Sequence, residues 1–206
     1  MEPLRYECSQ YPSRLRCPSI ALVCEVLRCP PSNCVQYYTG VSGQVMSYNY
    51  GLTDGLELAN QDYTICIRTE RNFCGIQYEA CADTGNEHQP QSFTLSGRPT
   101  STAGSLAGAT SCTKDWLTIP CVTDSATTPV TSCQDRLCGD SFNVVESRTA
   151  GNVVVYSFVS LNFIFLPAYV KPFVLIYHTD ATEGSAVPSE ESNRGFCLNY
   201  VQQPCV

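Results

Sequence analysis

The clearest pattern along the chain is a two-residue alternation of apolar and polar positions, the period of a half-buried β-strand. In Asp115-Trp-Leu-Thr-Ile119, Leu117 and Ile119 face one way, and Thr118 the other. Asp62-Tyr-Thr-Ile-Cys-Ile-Arg68 alternates well, and Phe93-Thr-Leu95 is a short version of the same pattern. Val35–Tyr38 and Gln44–Tyr50 are rich in aromatic and β-branched residues, with Gly40 and Gly43 marking turns. Phe73–Cys81 reads as another strand, and its bounding cysteines suit a local staple. Nothing along the chain reads as a long amphipathic helix, so the pattern predicts an all-β protein.

Between these strands the composition changes. Pro99–Ser111 is almost wholly Ser, Thr, Gly and Ala, and Val122–Ser132 is similar, so both are expected as exposed loops. Asn152–Val170 carries no charge, and its length touches the lower limit for a membrane span. Ser157, Ser160, Asn162 and Pro167 interrupt it, however, and Val, Phe and Tyr dominate. Two strands, Val153–Val159 and Val170–Tyr177, fit better than a span, with Ser160–Tyr169 inserted between them.

Composition narrows the setting. The 206 residues suffice for one full domain and something extra, and the 14 cysteines are several times the usual share. No C-x-x-C pair occurs; spacings such as Cys29 to Cys34 and Cys133 to Cys138 leave four residues between. That disfavours zinc and points to disulfides in an oxidising compartment. Residues 1–33 form a separate cysteine-rich segment with Cys8, Cys17, Cys24 and Cys29, expected to be the end of an upstream domain. Pro30-Pro31 then forces an extended linker. The sequence after Met1 lacks an apolar leader, so a fragment of a secreted chain is expected. A net charge of −7, with only Lys114 and Lys171 as lysines, leaves no basic face for nucleic acid.

A longer motif order carries more information. Cys112-Thr-Lys-Asp115-Trp116-Leu-Thr-Ile119 is followed by Cys138-Gly139, then by Phe173–Tyr177 running into Thr179-Asp180, then by Gly195-Phe196-Cys-Leu-Asn-Tyr200. This order resembles the second half of a CUB domain, and Ser47-Tyr-Asn-Tyr50 is similar to the family's S-P-N-Y-P with both prolines missing. The resemblance spans Cys34–Cys205, inside a domain placed at 34–206, and is closest to secreted cysteine-rich CUB proteins of invertebrates. It implies a CUB-type jelly-roll β-sandwich, rich in disulfides, an architecture the strand spacing also suggests unaided. By the family pattern Cys34 bonds Cys66 and Cys112 bonds Cys138. Each bridge closes a loop of about thirty residues, contributing roughly 3–4 kcal/mol through chain entropy. Chain proximity suggests Cys74–Cys81, Cys121–Cys133 and Cys197–Cys205, though spacing alone does not fix connectivity.

Many CUB domains hold calcium at one end of the sandwich, and the resemblance carries two of its three acidic ligands onto this chain: Asp115 and Asp180. The third, a Glu five residues before the C-x-x-D cysteine, falls on Ala107. Against calcium stands a plainer role, in which both aspartates accept loop backbone hydrogen bonds. Gly139-Asp140-Ser141 is similar to the nucleophile motif of trypsin-like proteases, but Phe142 replaces the glycine needed at the oxyanion hole. His88 also lies in the wrong setting, so no catalytic residues are assigned. His178 reads as a structural histidine at a strand end, and Asp180–Glu191 as a solvated acidic loop. The expectation is a secreted, non-enzymatic module that recognises an extracellular protein or glycan. The competing expectations are an accessory part of a larger secreted protease and a self-associating structural protein.

Overall fold

The computed structural model describes residues 31–51, 55–82, 92–96, 105–123, 134–145, 155–158, 172–183 and 193–205. Among them are eleven strands and no helix: β1 (Gln36–Tyr38), β2 (Ser42–Met46), β3 (Asp62–Ile67), β4 (Phe73–Ala80), β5 (Phe93–Thr94), β6 (Ser105–Ala107), β7 (Trp116–Thr123), β8 (Gln134–Gly139), β9 (Val155–Phe158), β10 (Phe173–His178) and β11 (Gly195–Pro204). The alternation forecast from sequence is real: Tyr63, Ile65 and Ile67 are buried on β3, Leu117 and Ile119 on β7, and Phe173, Leu175 and Tyr177 on β10. Residues 44–50 do not continue as one strand. β2 ends at Met46, and Asn49 takes a left-handed φ of 60°, which asparagine tolerates better than most residues and which turns the chain.

The strands follow one hydrogen-bonded path, β1-β3-β10-β7-β9-β4-β11-β2, with β8 and β6 beyond β7 and β5 on β11. β7 joins the two layers of the sandwich. Its first residues pair with β10 and β8, and Val122 and Thr123 pair with β9. The layers meet through their inward side chains: Tyr177 on β10 packs edge-on against Phe196 on β11, centroids 5.4 Å apart, although those strands share no ladder. Phe196 is placed by its neighbour. Gly195 has a φ of +84°, and a Cβ there would run into the Ser47 hydroxyl, which accepts the Phe196 amide at 3.0 Å.

Four disulfides lie among the described residues. Cys34–Cys66 and Cys112–Cys138 join the residues that the family pattern pairs. The other two correct the proximity pairing: Cys74 bonds Cys205, and Cys81 bonds Cys197, in place of Cys74–Cys81 and Cys197–Cys205. The reason is strand geometry. Seven positions along an extended strand separate two Cα atoms by about 23 Å, several times the reach of a disulfide. β4 and β11 instead run antiparallel side by side, and each cysteine near a β4 end meets one near the adjoining end of β11. The expected Cys121–Cys133 bridge, the N-terminal cysteines and the Ser160–Tyr169 insertion fall outside the described residues and side chains.

Far from the β7 start, at the Ile67 end of β3, a polar clasp closes the corner. Gln202 is 2% exposed; its side-chain amide donates to the Gly40 and Arg68 carbonyls at 2.9 and 2.8 Å, and its oxygen accepts the Glu70 amide at 2.9 Å. Glu70 in turn accepts the Gly40 amide at 2.8 Å and the Arg68 guanidinium.

Candidate metal centre

The opposite end of the sandwich brings three carboxylates together. β7 and β10 are antiparallel neighbours with Trp116 opposite His178, so Asp115 and Asp180, 65 positions apart, emerge at the same edge. The rings hold this register: the His178 imidazole stacks on the Trp116 indole at 4.0 Å, and the Arg136 guanidinium lies over the indole at 4.1 Å. Because β10 and β8 flank β7 on opposite sides, Arg136 and His178 enclose the indole between them. The His178 imidazole thus packs at the strand end where its sequence position puts it.

Asp115 is fully buried, and one of its oxygens accepts the Asp180 amide at 2.9 Å, while its own carbonyl accepts the Ser96 hydroxyl at 2.8 Å. Burial acts to raise the Asp180 pKa. The Thr182 hydroxyl and amide, each donating at 2.6 Å, outweigh it together with Lys114 and His178, so the carboxyl sits below the ordinary aspartate value. The loop past Asp180 then folds back. Glu183, half-buried, brings a carboxylate oxygen to the two aspartates, and one oxygen from each of the three lies within 4.8 Å of the others. Glu183 belongs to the acidic run expected to be solvated, and only the fold assigns it to this group. Ala107, by contrast, is buried on β6 opposite Leu137 and brings no acid.

Three carboxylates this close repel one another unless a cation or donors lie among them. The donor set suits a hard cation: all ligands are oxygens, and oxygens about 2.4 Å from a shared calcium span at most about 4.8 Å. Calcium takes six to eight ligands, so carbonyls or water must complete the shell.

Of the protease-like candidates, only Ser141 and Asp115 lie among the described residues. Ser141 is buried in the bend after β8, Asp115 is engaged with Asp180, and His88 lies outside the described residues.

The family model of the animal CUB domain matches residues 31–203. With that span matched, the chain belongs to the animal CUB domain family, whose members are generally non-enzymatic binding modules of extracellular type. The all-strand, disulfide-bonded sandwich agrees with it. No curated protein matches the chain. Among the described residues no helix is long and apolar enough to cross a membrane.

Proposed function

We propose that this chain is a secreted module, its CUB domain running over 34–206, which recognises an extracellular protein or glycan through the loops at the Asp115–Asp180 end. One observation carries the reading: Asp115, Asp180 and Glu183 converge at a loop-rich end of the sandwich, on strands held by stacked rings. A calcium ion bound by these three oxygens supplies charge compensation and ties the 179–183 loop to β7. The protein's own part is to hold the ligands in place. Asp115 fixes the loop through the Asp180 amide, and Thr182 orients the Asp180 carboxylate. With exposed loop positions completing its shell, binding falls in the range of extracellular modules, about 10⁻⁴–10⁻³ M.

Calorimetry tests the ion. Asp180→Ala and Glu183→Ala should each abolish the calcium heat. If Glu183→Ala leaves affinity unchanged, the third carboxylate is not a ligand. Affinity capture from extracellular fluid, with and without a chelator, tests the recognition: partners retained only with calcium support it, and an identical eluate removes calcium from the mechanism.

A further inference from the structure

The neutral part of the chain is concentrated at one edge of the sandwich. No charged residue occurs from Cys34 to Thr53, in a chain of net charge −7. β2 lies in that stretch and is the last strand on the hydrogen-bonded path. Among the described residues its only ladder is with β11, which also carries no charge from Gly195 to Pro204.

Two bonds fix which way the β2 backbone faces. The Ser47 amide donates to the Phe196 carbonyl at 2.9 Å, and the Gln202 amide donates to the Val41 carbonyl at 2.7 Å. Hydrogen-bonded residues alternate in an antiparallel ladder, so Val41, Gly43, Val45 and Ser47 turn their backbone groups towards β11. Ser42, Gln44 and Met46 therefore turn theirs outward. The Gln36 side chain donates to the Met46 carbonyl at 3.2 Å. The backbone amides and carbonyls of Ser42 and Gln44 have no partner among the described residues.

Native proteins blunt such an edge with charge, proline or a bulge. β2 has none of these, and Ser42–Met46 pairs with β11 in unbroken register. The longest side chain at its exposed end is drawn off the edge. The Gln44 side-chain amide donates to Asn199 Oδ1 and to Cys81 Sγ, each at 3.1 Å, and so lies back over the sheet. Ser42, Gly43 and Gln44 are left exposed.

We propose that β2 is an association edge for a second copy of this chain. The two β2 strands pair antiparallel about a two-fold axis at Gly43, with Ser42 of each opposite Gln44 of the other. In that register the outward amides and carbonyls of both residues are satisfied reciprocally, and the two β9-β4-β11-β2 layers become one continuous sheet. The choice of occupant rests on this self-complementarity and on charge. Each copy carries a net −7, and the neutral edge is where two such chains approach with least repulsion. A charged partner finds no counter-charge on this strand. The proposal does not rest on the calcium-site reading.

Sedimentation equilibrium of the full chain over a concentration series up to about 1 mM provides the test, with hydrogen exchange read in parallel. Wild type should show a reversible monomer–dimer equilibrium. It should tighten as salt is raised from about 0.05 M to about 0.5 M, because screening removes the repulsion. The Ser42 and Gln44 amides should gain protection as the dimer forms. Gln44→Pro removes an amide that faces away from β11, so it spares the native ladder and takes a donor only from the added strand. It should weaken the dimer by about tenfold or more, with an unchanged near-UV spectrum. Ser42→Pro, at the other outward amide, should do the same. Gln77→Ala, on β4 between β9 and β11, should leave the dimer intact. A wild-type chain that stays monomeric throughout, or a Gln44→Pro dimer as tight as wild type, overturns the proposal. So does protection gained elsewhere and not at Ser42 and Gln44. A dimer that persists in SDS without reductant is a disulfide dimer and overturns it, as does association that continues past two copies.

Discussion

Replacing Gln202 by alanine removes three hydrogen bonds at once from a nearly dry corner. Two are donated to the Gly40 and Arg68 carbonyls and one is accepted from the Glu70 amide, at 2.9, 2.8 and 2.9 Å. At about 1 kcal/mol net per bond, the loss is about 3 kcal/mol. The exposed Arg68–Glu70 pair cannot compensate, because a pair with side chains 41% and 21% exposed contributes little in water. With a urea slope of about 2 kcal/mol/M, the midpoint should fall by about 1.5 M. Gln202→Glu should be no milder, since it sets a carboxylate against two carbonyls. Unfolding should be followed with disulfides intact, so that chain entropy is common to both proteins. Because the clasp lies at the Ile67 end of β3, away from Asp180, calcium affinity should not change. A Gln202→Ala midpoint within about 0.2 M of wild type would refute the assignment of the clasp as a stabilising element.

Three further outcomes are expected. Non-reducing peptide mapping should recover Cys74–Cys205 and Cys81–Cys197; finding Cys74–Cys81 instead contradicts the β4–β11 pairing. The depressed Asp180 pKa means the folded state favours its anion, so this stability is full above about pH 4 and is lost as pH falls through the folded value. Acid titration of wild type against Asp180→Asn should show that dependence only in wild type. Burial raises the tyrosines in the opposite sense: Tyr200 is pushed up to about 12, and Tyr63, Tyr78 and Tyr177 are also raised. Their contribution is present below about pH 10 and is lost as pH rises through the folded values. Absorbance at the phenolate band should therefore show late-ionising tyrosines that titrate normally after unfolding.

The fold was legible where side chains alternate, since Leu117, Ile119, Ile65 and Leu175 announce their buried face directly. Asp115 and Asp180 came from the family resemblance, which carries its acidic positions onto the residue before β7 and a residue just past β10. Glu183 was not legible: it lies in a run of polar residues, and its place depends on how the loop folds back over β7. The cysteine partners of β4 failed for a related reason. Proximity along the chain favours the shortest loop, while the extended β4 holds Cys74, near its start, apart from Cys81, just past its end. Glu57, buried against the Tyr177 hydroxyl, gave no signal either, because a carboxylate between two leucines reads as an exposed position.

The long-range bridges also set a schedule for maturation. Cys74 and Cys81 find their partners 131 and 116 residues later, just past the end of β11 and within it. A chain emerging from its N-terminus therefore makes both cysteines well before their native partners, in a β topology whose distant contacts form slowly. During that interval each thiol has nearer cysteines to react with than its native partner. Any early pairing then has to be reopened before the native one forms, and a chain lacking β11 and Cys205 would leave Cys74 and Cys81 without these partners.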